Sequence, residues 1–284
     1  MPDPGEDGVR AVRREETAFA KLTLSLHVGA RRLSGLHELS AELVEVSLAD
    51  SIQVSPSDET KLTVLEDFPT LAQSHQDAYR MPPMEENLAV RAARLLGKSA
   101  SLTLIKRIPA QAGLGGGSSD AAAVARALGF EGDPAELLSL GSDVPYSLHG
   151  GHVRLEGVGE SSVSLREISG VLTIFLMPFG LSTAQVYSAF DEVGPGPGPN
   201  NLANAAAIVE PRLREAEEVI AASTGYSPLL AGSGSTLFVV ATLSDLGIEE
   251  EGSVGGCPFG ILNLQGGQII AVQVEIVRRP PKKA

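Results

Sequence analysis

The run Ala112-Gly113-Leu114-Gly115-Gly116-Gly117-Ser118-Ser119-Asp120, leading into the alanine-rich Ala121–Leu128, restricts this chain more than any other segment. Consecutive glycines admit backbone conformations closed to other residues, and they remove side chains so that amide N–H groups can approach a ligand. The serines then open a helix whose first amides have no intrahelical acceptor. Free amides and the positive end of a helix dipole together make an anion site. The hydroxyls of Ser118 and Ser119 add ligands for phosphate or a metal ion. A flexible turn with a serine cap rarely needs three glycines in a row beside another at Gly113. No Gly-Lys-Ser/Thr closes the loop, so it is not a Walker loop. Ser118 stands where a dinucleotide fingerprint starting at Gly113 needs its third glycine.

Strands and helices are interleaved around the loop. In Ala18–Val28 apolar and polar residues alternate, the mark of a half-buried strand, with Lys21, Thr23, Ser25 and His27 on one face. Further strands are expected at 39–48, 51–54, 61–65, 101–107, 171–176, 237–241, 258–262 and 268–277. Helices are expected from Asn87 to Gly97, through 121–128, from the Asp133 cap toward Gly141, from a Thr183 cap to Phe190, and over 202–220 with a break at Pro211. Residues 66–85 and Gly194–Pro199 read as loops. The pattern predicts an α+β protein. It divides into a mobile tail at 1–16, a first domain at 17–158 and a second at 159–284, joined through the polar stretch 157–170.

The chain has 284 residues, with 22 Lys+Arg against 35 Asp+Glu and a net charge of −13. Such acidity argues against a nucleic-acid binder, which needs a basic footprint, and against an anionic membrane surface. It leaves room for a phosphorylated small molecule held by a local positive field. Cys257 is the only cysteine, so there is no internal disulfide and no cysteine-built zinc site. No apolar run approaches the roughly 20 residues of a membrane span. Met1–Glu16 does not read as a leader, and the expected location is cytoplasmic.

Pro109–Ala123 resembles the ATP loop of the GHMP kinase superfamily, whose members include galactokinase, homoserine kinase and mevalonate kinase. The wording is most similar to the branch that phosphorylates 4-diphosphocytidyl-2-C-methyl-D-erythritol in the non-mevalonate isoprenoid route. Collinear segments carry the same resemblance: Ala18–Leu24, Gly35–Leu39, Gly141–Tyr146, Gly157–Glu160, Ser182–Tyr187 and Gly232–Thr236. The resemblance implies a two-domain α+β fold. Its first half would be like the second domain of ribosomal protein S5, and its second half a ferredoxin-like sandwich, with the site in the cleft. It implies ATP and Mg²⁺, a cytidine diphosphate-linked methylerythritol as substrate, and no resident metal site. It leaves a homodimer open.

By the same resemblance, Asp143 accepts the proton of the acceptor hydroxyl and Lys21 supports it. Pro109, Gly113, Leu114, Gly115, Gly116, Gly117, Ser118 and Ser119 hold the nucleotide. His37, Thr183, Tyr187, Gly232, Ser233 and Gly234 face the substrate, with His37 bonding cytosine and Tyr187 stacking on it. Taken singly, Asp143 is an ordinary turn acid, Lys21 a solvated strand lysine, and Tyr187 a core aromatic. The motifs around them favour the functional readings. Thr23 replaces a usual Asn, Leu36 a usual Tyr, and Asn201 and Ala203 alter the pattern near 200–203. These departures motivate two alternatives: a GHMP-type kinase acting on another small alcohol, and a nucleotide-binding relative without catalysis.

Overall fold

The computed structural model describes residues 13–33, 35–68 and 81–279. Most of the expected tail, and much of the expected loop at 66–85, lie outside these residues. The tail reading needs correction at its inner end, because β1 starts at Arg14 and runs to Arg31. Apolar alternation begins only at Ala18, so the polar start of the strand had no sequence signal.

β2 spans His37–Pro56, 20 residues, where the sequence suggested two strands. The break falls at Asp50, a fully buried carboxylate on the face where Val44, Val46, Leu48, Ile52 and Val54 are apolar. Phe19 of β1 faces Ala49 while Ala20 faces Val46, so Ser47 and Leu48 form a bulge within the strand. β1 covers one edge of β2. The other edge is shared: β5 (Val153–Gly157) takes Leu39–Leu43, and β4 (Ala100–Lys106) takes Ser51–Pro56. Between them an isolated bridge joins Val46 to Ile276 near the carboxy-terminal end of the chain. β3 (Lys61–Glu66) runs parallel to β4, and β6 (Ser161–Ser164) closes the first sheet beyond β5. The first unit therefore extends past 158, because β6 belongs to this sheet. Its four residues are all exposed, which leaves no apolar pattern to read.

The second sheet is antiparallel. It contains β7 (Val171–Leu176), β8 (Leu229–Leu230), β9 (Leu237–Val239), β10 (Gly252–Val254), β11 (Cys257–Leu264) and β12 (Gly267–Glu275), in the order β10-β11-β12-β7-β9-β8. The sheets meet in two buried clusters, one with Leu26, Leu43, Phe175 and Ala271, the other with Leu22, Val44 and Val46 from the first sheet and Leu172, Ile174, Ile270 and Val272 from the second. Ile108, Ala112 and Leu114 belong to the latter cluster, so the glycine loop is anchored between the sheets.

Six α-helices complete the fold among the described residues: α1 (Leu88–Leu95), α2 (Gly116–Ala127), α3 (Val144–His149), α4 (Thr183–Val193), α5 (Ala203–Val209) and α6 (Arg212–Thr224). Asn87 caps α1 through the Ala89 amide, and Pro211 separates α5 from α6. Asp133–Glu136 forms the expected capping box, but it opens only a 3-10 turn over Pro134–Leu137. Ser182, not Thr183, caps α4, accepting from the Gln185 amide. No described helix is long and apolar enough to cross a membrane.

Alanine in α2 is a packing choice as well as a helix former. Ala121, Ala122, Ala123 and Ala125 are all fully buried, so the helix lies close against its neighbours on every side. Ala123→Leu should destabilise by about 1–3 kcal/mol through overpacking. Urea unfolding checks it, and an unchanged midpoint would contradict the close packing.

Candidate active site

Lys21 lies on β1 beside the bulge, only 9% exposed. Its Nζ is 3.8 Å from Asp143 Oδ2 and donates to Thr23 Oγ1 at 3.3 Å. The Thr23 departure thus keeps an acceptor for the lysine. Asp143 is the N-terminal cap residue of α3, yet its side chain caps no amide there. The carboxylate remains free to face the lysine.

Gly115 stands against this pair. It has φ +68°, a left-handed conformation, and it caps α2. A Cβ there would lie 2.8 Å from Lys21 Cγ and 3.6 Å from Asp143 Oδ2. Any side chain would therefore press into the lysine. The Lys21 amide donates to Leu114 O at 3.0 Å, which fixes strand and loop together. Gly113 is equally constrained, since a Cβ there would sit 2.5 Å from Gly234 O. The second glycine motif is thereby packed against the first, and Thr236 reinforces the contact by donating through both amide and hydroxyl to Ala112 O.

Lys21, Pro109, Gly113, Leu114, Gly115, Gly116, Gly117, Ser118, Asp143, Thr183, Tyr187, Gly232 and Ser233 line one cavity of about 440 Å³. Three of the expected residues do not line it. The Ser119 hydroxyl donates to Gly116 O and its amide to Gly115 O, so both groups are used inside the helix. Gly234 lies behind Gly113. His37 turns its Nδ1 to Gly29 O at 3.0 Å, and Asp191 Oδ1 lies 2.8 Å from its Nε2 without the alignment of a hydrogen bond. His37 does adjoin the lining, because its ring centroid is 5.8 Å from that of Tyr187. Burial, and then the charge of Asp143, raises the pKa of the Tyr187 phenol. Leu36 is more than half exposed. Thr183 Oγ1 and Ser233 Oγ are 2.9 Å apart, joining α4 to the second glycine motif.

Sequence reasoning missed the polar groups that hold these parts in place. Asn200 donates to the carbonyls of Leu230 and Gly232 at 2.9 and 2.7 Å. Asn201 bonds both the amide and the carbonyl of Val28. The paired Asn after the Gly-Pro run was a usable signal, since buried amides satisfy backbone groups. Lys106, Asp50 and Asp120 form a buried ionic cluster under the loop. The Lys106 Nζ donates to Asp50 and, at 2.9 Å, to Asp120. Asp50 Oδ1 also accepts the amides of Arg107 and Ile108. Burial opposes the charge on Lys106, but Asp120 and Asp50 outweigh it and its pKa is raised. Burial pushes the Asp120 carboxyl up to about 8, against the lowering effect of Lys106.

The donors at the loop suit a magnesium ion carried in on a triphosphate. Asp120 Oδ1 is buried without a hydrogen-bond partner, and Ser118 offers a hydroxyl at the cavity. No group of three or more His, Cys, Asp or Glu is placed for a metal among the described residues.

Residues 87–151 match the GHMP kinases N terminal domain. The chain is 38% identical to 4-diphosphocytidyl-2-C-methyl-D-erythritol kinase of Paracoccus denitrificans, over 67% of this chain and 66% of that one. It is 30% identical to the enzyme of the same name from Clostridium acetobutylicum, over 78% of this chain and 88% of that one. The chain belongs to the 4-diphosphocytidyl-2-C-methyl-D-erythritol kinase family. A crystal structure of 4-(cytidine 5'-diphospho)-2C-methyl-D-erythritol kinase superposes with a TM-score of 0.67 and 30% identity, covering 92% of this chain and 99% of that one. Mevalonate kinase of L. major, 11% identical, has a TM-score of 0.56 over 82% of this chain and 88% of that one, and shares the fold. The α+β architecture of this family member is the GHMP kinase fold.

The raised Asp120 carboxyl has a consequence for stability. Its folded pKa of about 8 lies above the ordinary 3.8, so the folded state keeps a proton the unfolded chain releases. That contribution is complete below the unfolded value and is lost as pH rises toward 8. Asp120→Asn lacks this titration. The stability difference between wild type and variant should therefore shift in favour of the variant from pH 5 to pH 8. Urea unfolding of both proteins at the two pH values measures it, and a constant difference would refute it.

Proposed function

We propose that this protein transfers the γ-phosphoryl group of ATP to the 2-hydroxyl of 4-diphosphocytidyl-2-C-methyl-D-erythritol, giving ADP and the 2-phosphate. The observation that carries this reading is the Lys21–Asp143 pair, set against Gly115 at the start of the phosphate loop and inside the cavity that Tyr187 and Ser233 also line. An anion site, a carboxylate and a lysine within reach of one another are what phosphoryl transfer to an alcohol requires.

The first amides of α2, at Gly116, Gly117 and Ser118, bind the phosphates. The Asp143 carboxylate orients the acceptor hydroxyl and takes its proton as oxygen attacks phosphorus. The new O–P bond forms while the bond to the ADP oxygen breaks. The Lys21 ammonium, held by Thr23, faces both the carboxylate and the transferring group. Ser118 and Asp120 would hold a bound Mg²⁺, which would neutralise charge on the phosphates. Tyr187 and the adjoining His37 bind the cytosine, and Thr183 with Ser233 faces the diphosphate or the polyol. No covalent phosphoenzyme is needed. The enzyme works in the cytoplasm on a small molecule.

The exposed Leu36, at a position where the resemblance implies a Tyr, favours one second reading: a kinase of this type with another small alcohol. ADP release assayed with the cytidyl substrate and with a panel of alcohols separates the two. Reaction with another alcohol and none with the cytidyl substrate would replace the first reading.

Asp143→Asn should lower kcat by about 10²–10⁴-fold, with ATP affinity unchanged in a binding titration. A variant as fast as wild type would exclude Asp143 as the base.

A further inference from the structure

The Lys21–Asp143 pair joins a strand to the cap residue of a six-residue helix, and the two side chains meet only in a 3.8 Å ion pair. Two ties fix α3 relative to β1. Arg126 donates to the carbonyls of Ser147 and Leu148 in α3 and to Glu16 and the Thr17 carbonyl in β1, and the hydrogen bonds past the far end of α3 lead to the carboxy-terminal segment. Gly150 N closes the helix on Tyr146 O, and the Tyr146 hydroxyl donates to Gly151 O at 2.9 Å. Gly151 N donates to Glu45 Oε2 at 3.1 Å. Gly150 has φ +63°, and a Cβ there would overlap the Glu45 carboxylate, so helix end and carboxylate are in direct contact.

Glu45 is 2% exposed and stands directly opposite Lys21 in the β1–β2 register. Its carboxylate is gripped by Arg279, with Nε at 2.6 Å and Nη2 at 2.8 Å. The same guanidinium lies 5.0 Å over the ring of Phe19, two residues before Lys21. A planar fork that binds both carboxylate oxygens and rests on an aromatic face is a geometry only arginine supplies. Backbone bonds seat the segment, with Val277 N on Glu45 O and Glu275 N on Ser47 Oγ. Arg279 therefore touches the strand that carries Lys21, and through Glu45 the helix that carries Asp143.

We infer that Arg279 is a positioning residue for phosphoryl transfer, holding Lys21 and Asp143 in register through Glu45 and Phe19. The inference rests on the kinase reading above. Arg279 belongs to neither the catalytic pair nor the cavity lining, so it acts on geometry and not on binding.

The test compares wild type, Arg279→Ala and Arg279→Lys in steady-state ADP release, well below their unfolding temperatures. Misplacement of reacting groups on the ångström scale lowers rate by up to about a hundredfold. Arg279→Ala should lower kcat about ten- to hundredfold with both KM values within about twofold of wild type. Arg279→Lys keeps the charge without the fork and should fall between. If the alanine variant does not fold, the lysine variant alone decides. A folded variant with wild-type kcat and only a lowered unfolding temperature means a structural role and overturns the inference. An active wild type equalled by both variants overturns the inference alone. A wild type that releases no ADP with any alcohol overturns the kinase reading and the inference with it.

Discussion

The phosphate loop depends on one buried ammonium. Lys106, at the end of β4, is fixed between Asp50 of β2 and Asp120 of α2, and all three are less than a tenth exposed. Charges so deeply buried are tolerable only when paired and hydrogen-bonded. Here the pairing meets that demand and also sets geometry. Asp50 takes the amides of Arg107 and Ile108, the residues entering the loop. Asp120 sits one turn into the helix leaving it. Both ends of the loop are thus clamped to one ammonium, and Leu114 pins its middle into the core between the sheets. The glycines can then be bare without being loose.

Around that clamp the site is assembled from both sheets. Lys21 comes from β1, Asp143 from α3, and Gly232 and Ser233 from the turn between β8 and β9. Their coherence comes from close backbone approach, as Gly113 against Gly234 and Gly115 against Lys21 show. It also explains how an acidic protein can suit anionic ligands. The positive field is made by helix amides and a few placed lysines, and a net charge of −13 does not oppose it at short range.

Much of the fold was legible from periodicity. β7 matches its expected range, and α1 and β4 lie within a residue or two of theirs. What failed had physical causes. Asp50, a buried carboxylate on the apolar face, split β2 in the reading, and the short, exposed β6 offered no apolar face. The glycine loop and the Lys21 and Asp143 motifs were visible because their information is local in sequence. Asp50, Lys106, Asn200 and Arg279 were not, because each acts on partners tens to hundreds of residues away. Ser119 and Thr183 show the converse. Their sequence context suggested one use for a hydroxyl, and a helix-internal bond or a neighbouring cap gave it another.

The edge of β2 has three tenants, and the middle one, the bridge from Val46 to Ile276, comes from the end of the chain. β4 and β5 can pair with β2 as soon as residue 157 has been made. The gap between them then lies open, with unpaired strand edge over a half-built core, until more than a hundred further residues have been synthesised. Unpaired edges invite association with other chains. During synthesis this protein therefore passes through a long interval in which its first sheet has an exposed seam, and the segment around Ile276 is what seals it.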